Sequence, residues 1–348
     1  MREKKAGEAR VQAVRMGMMA GSYAVQLRRE LGVRNQRWAR DRLHVESYGG
    51  EPVVVYAPEG ARHGNFFDSA YSAITRKAEW MRRFNKVHAQ GARSLPKPQG
   101  EPVRRWRELD SSMSSDALLM NVFCTPEVAE SPAVRTMLGV EAGAEPEFGW
   151  KARVPLANGL VDRTEVDMRL GSLLVEAKLT ETDFQTRKAE FVERYKDLDA
   201  VFERDRLPRV GIRAERQKEA IEFPEDYSQE YEAPVVETGC VRAERVVPVR
   251  TEPGYASYQL IRNVLAAYAQ GCSFCVVQDE RRPDLMEAWF RVMAAVKGAE
   301  MRVRLKVLTW QELAAALPAG LQDFLDEKYG IVRAGRVASR FEESNLRW

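Results

Sequence analysis

Three carboxylates and one ammonium recur at alternate positions within residues 163–178, where the sequence reads RTEVDMRLGSLLVEAK. Glu165 and Asp167 lie in the first half of this segment, and Glu176 and Lys178 lie in the second half. Like charges held close together repel one another unless a cation neutralises them. All-oxygen ligands favour a hard cation such as Mg²⁺ or Mn²⁺ over Zn²⁺, and a neighbouring lysine can position or deprotonate a water molecule. These residue types therefore indicate metal-assisted hydrolysis, for example of a phosphodiester.

A tight hairpin is the element that would bring these side chains together. Gly171-Ser172 separates two runs of alternating apolar residues, and glycine at the first loop position fits a two-residue type II′ turn. The register set by this turn places Asp167 opposite Glu176. By the same register, Glu165 lies opposite Lys178 and on the same face. The other face would be an apolar core surface made of Val166, Met168, Leu173, Val175, Ala177 and Leu179.

An ordinary hairpin with a solvated charged face is the competing interpretation, and it would make the chain a structural α/β interaction protein. Glutamate opposite lysine is a common cross-strand pair, but aspartate directly opposite glutamate is destabilising. A charged pair is also unusual directly after a run as apolar as Leu173-Leu174-Val175. The pattern favours a functional site over a solvated face.

Positive charge is concentrated in the N-terminal part of the chain. Residues 1–107 contain 22 lysines and arginines against 10 acidic residues, whereas the remaining residues contain 32 against 41. Such a basic region is typical of proteins that contact a polyanion, above all a nucleic acid. A helix predicted over residues 68–89 and a later Arg-Arg-Trp-Arg segment supply the candidate nucleic-acid-binding residues: Arg76, Lys77, Arg82, Arg83, Lys86, Arg104, Arg105 and Arg107.

At the hairpin the chain resembles the PD-(D/E)XK nuclease superfamily, whose members have the restriction-endonuclease-like fold. The superfamily pattern is an aspartate on one strand and Glu-x-Lys at the end of the next, here Asp167 and Glu176-Ala177-Lys178. Val166 takes the place of the proline that precedes the aspartate in that pattern. The resemblance covers about residues 112–330, and the segment TWQEL at 309–313 is similar to the ends of bacterial restriction endonucleases of this superfamily.

The resemblance implies a catalytic set of Asp167, Glu176 and Lys178. Asp167 and Glu176 would bind Mg²⁺ or Mn²⁺ with the help of the Ala177 carbonyl. Lys178 would orient the attacking water.

Additional ligands are also implied by the resemblance. Many members add an acidic residue from the first helix or first strand, for which Asp116, Glu145 and Glu147 are candidates, with Glu147 preferred. In one branch an Asp-Arg pair precedes the active aspartate, and the equivalent position here would make Glu165 a ligand. Gln259, on the late helix, would be an auxiliary residue.

The order of predicted elements favours an α/β fold with a restriction-endonuclease-like mixed sheet, an αβββαβ core flanked by helices. The core would comprise a helix at 114–123, strands at about 147–156, 163–170 and 172–179, a helix at 256–269 and a strand at 274–278. We predict a basic, mainly helical N-terminal region at residues 1–107 and a nuclease-like core at residues 108–348, with an insertion at about 207–253. Further helices are predicted over residues 8–31 and 184–204.

The sequence thus predicts a metal-dependent endonuclease that hydrolyses DNA, and the resemblance alone suggests a role in restriction or defence. A non-cleaving nucleic-acid-binding protein of the same fold is the alternative. DNA is the expected partner, and a homodimer is left open. No apolar run is long enough to cross a bilayer, and the 4 cysteines fit a reducing compartment, so we expect a cytoplasmic protein without membrane contact.

Overall fold

The computed structural model describes residues 23–47, 53–87, 107–213 and 251–332. The strands are β1 His44–Ser47, β2 Val53–Tyr56, β3 Pro58–Glu59, β4 Arg62–His63, β5 Pro146–Lys151, β6 Val154–Pro155, β7 Val161–Asp162, β8 Glu165–Leu170, β9 Leu173–Ala177, β10 Arg187–Lys188, β11 Arg209–Arg213, β12 Thr251–Tyr255, β13 Ser273–Gln278 and β14 Leu305–Thr309. The helices are α1 at 23–38, α2 Asp68–Arg76, α3 Ala78–Phe84, α4 Ser115–Phe123, α5 Pro132–Leu138, α6 Ala189–Val192, α7 Leu198–Val201, α8 Tyr258–Gln270, α9 Pro283–Ala294, α10 Ala299–Val303, α11 Trp310–Ala314 and α12 Ala319–Tyr329.

A five-stranded mixed sheet forms the centre of the structure, in the order β14-β13-β9-β8-β5. Strands β14, β13 and β9 are parallel, whereas β8 runs antiparallel to both β9 and β5. The middle strands β9 and β13 are buried along almost their whole length, which explains why their sequences are nearly continuously apolar. The predicted α/β class with a mixed sheet flanked by helices is therefore confirmed.

Helices cover both faces of this sheet. On one face, α8 and α9 pack against Leu174 and Phe274, with Trp289 at the centre of the cluster. On the other face, α4, α11 and α12 pack against Val175 and its neighbours, with Leu119 fully buried. Successive residues of β9 thus point into opposite clusters, as the two-residue repeat of a strand requires.

The two helices nearest the hairpin form close to the predicted positions. Helix α4 begins after Ser114, whose hydroxyl accepts a hydrogen bond from the Ala117 N–H at 3.1 Å. Helix α8 ends at Gly271, which adopts a left-handed conformation with φ of 65°. Both helices pack on the sheet next to the strands that carry the acidic residues.

The predicted helix over residues 68–89 is wrong, because the chain forms two helices there. Lys77 between α2 and α3 is extended, with φ of −110° and ψ of 114°. The break lets Ile74 and Phe84 enter the same buried cluster from two separate helices.

Two other predicted helices also differ. Helix α1 continues past the predicted end to residue 38, because Leu31 and Asn35 on either side of Gly32 are fully buried against the rest of the protein. The predicted helix over 184–204 is replaced by the one-turn helices α6 and α7. Turns separate these two helices, and isolated bridges join Tyr195 to Leu156 and Phe202 to Val296.

The N-terminal region is not purely helical, since it also contains the two-stranded sheets β1-β2 and β3-β4. Strands β11 and β12 form at the two ends of the predicted insertion at about 207–253 and pair with each other in the sheet β10-β12-β11. Most of that insertion lies outside the described residues, and the division at residue 107 stays a prediction. Across the described ranges, no helix is long and apolar enough to span a bilayer.

Candidate active site

The hairpin of β8 and β9 forms with the predicted register at its closed end. Three residue pairs make up the ladder, beginning with Leu170 and Leu173, and Gly171 in the turn adopts φ of 57°. The ladder stops before Asp167. There, the Ala177 N–H donates to Oδ2 of Asp167 at 2.8 Å. Asp167 therefore lies where the two strands separate.

The two predicted cross-strand pairs do not form. The ladder between β8 and β9 does not reach Asp167 and Glu176 or Glu165 and Lys178, and the pairing of Glu165 is with Lys151 on the other side of β8. The Lys178 N–H donates to a carbonyl of β13 at 2.8 Å. The strands part because each follows its outer neighbour, β9 along β13 and β8 along β5.

An irregularity in β5 accompanies this separation. The pairing of β5 with β8 is interrupted at Gly149, whose φ is 63°. Val166 of β8, opposite Trp150, belongs to the core cluster on the α8 face. The predicted apolar face therefore loses Val166 and consists of Met168, Leu173, Val175, Ala177 and Leu179.

Glu176 and Lys178 form a buried ion pair at the end of β9. Their side chains are 1% and 5% exposed, and Lys178 Nζ lies 2.8 Å from Glu176 Oε1. The second oxygen, Oε2, accepts a hydrogen bond from Asn263 Nδ2 of α8 at 2.7 Å. Both oxygens of this buried carboxylate therefore have partners, as its burial requires.

Asp167 lies in an environment that disfavours its negative charge. Burial raises the pKa of Asp167 well above its usual value, and the carboxylates of Glu176 and Asp116 raise it further. The Lys178 ammonium and the Ala177 N–H oppose this rise only in part. A cation bound between these carboxylates would favour their ionised form.

Lys178 is held as a charged ammonium. Burial by itself lowers the pKa of Lys178, but Glu176, Glu181 and Asp167 outweigh it and raise the pKa above that of a free lysine. Glu181 is fixed beside this group by hydrogen bonds from the Ser115 hydroxyl and the Leu179 N–H. This setting suits the orienting role of Lys178 and does not support the alternative in which it deprotonates water.

A second group of carboxylates adjoins the first. Asp116, in the first turn of α4, contacts the guanidinium of Arg83 from α3. Arg83 is only 7% exposed, and its Nη1 lies 3.2 Å from Glu108 and 3.3 Å from Glu165. Lys86 reaches Glu165 and Glu108 as well, at 3.0 and 3.3 Å.

These contacts separate the additional ligand candidates. Asp116 affects the pKa of Asp167, whereas Glu147 is 56% exposed and lies 3.6 Å from Arg169. Glu145 is 75% exposed and pairs with Lys77. Glu165 is paired with the cations of the second group. Of these candidates, only Asp116 is among the groups that raise the pKa of Asp167, whereas the resemblance favoured Glu147.

The predicted nucleic-acid-binding residues have different surroundings. Arg83 is buried in the carboxylate network, and Lys77 pairs with Glu145. Arg76 donates to the Ser72 hydroxyl, and Lys86 is 43% exposed. Arg82 is exposed and forms no ion pair with the described residues. Arg107 lies over the Phe84 ring at 4.3 Å, and Arg104 and Arg105 lie outside the described residues.

A groove of about 880 Å³ runs along the outer edge of β5 and opens beside these residues. Its walls contain Trp80 and Trp150 together with Arg82, Lys86 and Lys151, and Arg83 and Glu165 line its end. The groove therefore leads to the second group of carboxylates and combines aromatic rings with cations. Such a combination suits contact with a nucleic-acid strand.

Asn263 is a site residue that the sequence analysis did not select. The predicted auxiliary residue, Gln259, lies one turn earlier on α8, and its backbone N–H donates to the Phe184 carbonyl at 2.9 Å. Its side chain makes no hydrogen bond to the described residues, whereas Asn263 contacts Glu176 directly. The four-residue spacing between them was visible in the sequence, but it did not reveal which side chain faces β9.

The carboxylate oxygens of Asp167 and Glu176 are ligands that suit a hard divalent ion. The two carboxylates lie where burial and mutual repulsion make it unfavourable for both to be ionised. The described residues nevertheless contain no preformed group of three His, Cys, Asp or Glu side chains arranged to hold a metal. The reason is visible in the contacts: Glu176 is paired with Lys178 and Asn263, and Asp116 is paired with Arg83. Binding of an ion would have to loosen the Glu176–Lys178 bond.

One family model matches most of the chain. No curated protein and no solved structure gives a significant match to the chain. The family described as restriction endonuclease associating with ARP matches residues 33–330, which include the last turns of α1, the whole central sheet and the candidate site. The chain therefore belongs to this family of restriction endonucleases.

Proposed function

We propose that the protein is a Mg²⁺-dependent endodeoxyribonuclease with a restriction-endonuclease-like αβββαβ core. The observation that carries this proposal is the meeting of Asp167, Glu176 and the Lys178 ammonium where β8 and β9 separate. Membership of a restriction endonuclease family supports DNA as the substrate and a role in restriction or defence. That biological role rests on the family alone, since a fold does not by itself define a function.

Asp167, Glu176 and the Ala177 carbonyl would hold the metal ion. When bound, the ion would supply charge neutralisation at the scissile phosphate and a lower pKa for the attacking water. Asn263 keeps Glu176 in position through its hydrogen bond to Oε2. Lys178, as an ammonium, would orient the water and stabilise negative charge that develops on the phosphate.

The groove along β5 offers a path for the DNA strand. Arg82 and Lys151 on its walls would contact phosphates, and Trp80 and Trp150 would contact the sugar or base. Arg83 is occupied by carboxylates, so it fits a structural role better than a phosphate contact.

Plasmid nicking tests this function. We expect nicking by the purified protein with Mg²⁺ or Mn²⁺, none with EDTA, and a loss of about a hundredfold or more in Asp167→Asn and in Lys178→Met. Glu130→Gln, which removes an exposed carboxylate away from the hairpin and the groove, is the matched control and should retain activity. DNA binding without nicking in the wild type would instead support the non-cleaving alternative. Metal-independent nicking, or full activity of Asp167→Asn, would refute the proposed mechanism.

A further inference from the structure

Arg83 occupies an unusual position for an arginine from a basic surface helix. It lies at the end of α3, outside the central sheet, yet its side chain is 7% exposed. Its two terminal nitrogens contact Asp116, Glu108 and Glu165, which come from three different segments. A guanidinium does not lose its proton at ordinary pH, so this buried charge is permanent.

The backbone of β5 is shaped to admit this side chain. At Gly149 a Cβ atom would lie 3.3 Å from Arg83 Cδ and 3.3 Å from the Glu165 carboxyl group. The positive φ of Gly149 and its missing side chain therefore let Arg83 and Glu165 meet. In addition, Arg83 Nε is buried without a hydrogen-bond acceptor among the described residues. Ion pairs with carboxylates therefore hold the guanidinium in place, although its Nε–H lacks an acceptor among the described residues.

The site thus has two adjoining groups of carboxylates, each with its own cation. Lys178 accompanies Glu176 and Asp167, and Arg83 accompanies Asp116. In hydrolases that use two metal ions, the ions lie about 3.5–4 Å apart and share the carboxylates around them. Arg83 provides a fixed positive charge beside Asp116, the carboxylate of the second group that interacts electrostatically with Asp167.

We infer that the site takes a single divalent ion, at Asp167 and Glu176, and that the Arg83 guanidinium replaces a second ion beside Asp116. This inference rests on the proposed function, because it presupposes that the first ion binds. It assigns to Arg83 a role inside the site, although the sequence pattern placed this residue on a DNA-binding surface. Arg83 is a positioning residue here, since it acts through Asp116 and does not touch the reacting atoms.

Calorimetric titration of the full-length protein with Mn²⁺, without DNA, tests the number of ions directly. We expect one ion per chain in the wild type and two in Arg83→Gln, because removing the guanidinium frees Asp116 for a metal. Electron paramagnetic resonance of the variant should show an exchange-coupled Mn²⁺ pair that the wild type lacks. In the double variant Arg83→Gln/Asp116→Asn, the count should return to one.

Two matched variants control for charge and folding. Lys86→Gln removes a cation that contacts Glu165 and Glu108 but not Asp116, so it should still bind one ion. Arg83→Lys keeps the charge and should also bind one ion, and circular dichroism should show that each variant is folded.

The outcomes separate this inference from the proposed function. Two ions in the wild type would overturn the role of Arg83 and leave a metal-dependent nuclease intact. One ion in a folded Arg83→Gln would overturn the role of Arg83 as well. No bound ion in any variant would overturn the metal dependence and this inference together. If Arg83→Gln fails to fold, two ions or a coupled Mn²⁺ pair in the wild type would still contradict the inference.

Discussion

At the scale of single residues, the site depends on how each buried carboxylate is partnered. Glu176 is nearly inaccessible to water and relies on Lys178 for one oxygen and Asn263 for the other. A buried acceptor that loses its donor keeps the cost of its lost hydration, about 1–3 kcal/mol. The partners of Glu176 are therefore as important to the site as Glu176 itself.

Asn263→Ala should lower both stability and nicking activity. We expect a loss of about 1–3 kcal/mol in the free energy of unfolding, because Glu176 Oε2 would be left without a donor. We expect nicking to fall about tenfold or more, since Glu176 would be less well oriented. Urea unfolding and initial nicking rates measure the two effects.

Gln259→Ala is the matched control, because it lies on the same helix but makes no side-chain hydrogen bond to the described residues. It should be close to the wild type in both measurements. Equal losses of stability and activity in the two variants would show that these losses do not come from the hydrogen bond between Asn263 and Glu176.

At the scale of secondary structure elements, the edge strand β5 decides how closely α3 approaches the site. Gly149 interrupts the regular pairing with β8, and its missing Cβ leaves room for Arg83 and Glu165. An irregular strand next to a site is a common way to redirect side chains. Here it connects the N-terminal helices to the carboxylates of the hairpin.

Gly149→Ala should therefore destabilise the protein more than glycine replacement alone explains. A left-handed conformation costs alanine about 1–2 kcal/mol, and the crowding at Arg83 and Glu165 should add about 1 kcal/mol or more. Gly143→Ala is the control, because Gly143 also has a positive φ, 76°, but nothing lies within 4 Å of the added Cβ. Equal free energies of unfolding for the two variants in urea would show that the space beside Gly149 is not needed.

At the scale of the whole molecule, α1 and α12 lie near opposite ends of the described chain in sequence, and a buried lysine connects them by a hydrogen bond. Lys328 of α12 is fully buried, and its Nζ donates to Asn35 Oδ1 of α1 at 2.7 Å. The Tyr56 hydroxyl donates to the same oxygen at 3.0 Å. Burial lowers the pKa of Lys328 well below its usual value, and Arg42 lowers it further.

Lys328→Met should change how stability depends on pH. Below the usual lysine pKa of about 10.4, the unfolded chain binds a proton at Lys328 that the folded protein does not bind. Stability therefore rises with pH between the lowered folded pKa and about 10.4, by up to about 1.4 kcal/mol per pH unit. The variant should lack this contribution and should lose less stability than the wild type between pH 9 and pH 7.

Urea unfolding at pH 7 and pH 9 measures this difference. Lys297→Met, at an exposed lysine, is the control and should keep the wild-type slope. A Lys328→Met slope identical to that of the wild type would show that Lys328 is protonated in the folded protein.

Local sequence patterns were enough to predict many of the helices and strands and the hairpin that carries the proposed site. The alternation around Gly171-Ser172 is a two-residue period, so it was enough to predict the hairpin and its first pairs. The catalytic roles of Asp167, Glu176 and Lys178 stay a prediction. The caps and apolar periodicity of α4 and α8 likewise define helices without knowledge of their neighbours.

Only the tertiary structure decided which distant side chains complete this site. Asn263 and Arg83 lie 87 and 82 positions from their partners Glu176 and Glu165, and no local period links such residues. The separation of β8 from β9 also depends on their outer neighbours, β5 and β13, which a single hairpin sequence does not contain. Short-range order follows from backbone geometry, whereas the partners of buried charges follow from how the whole chain packs.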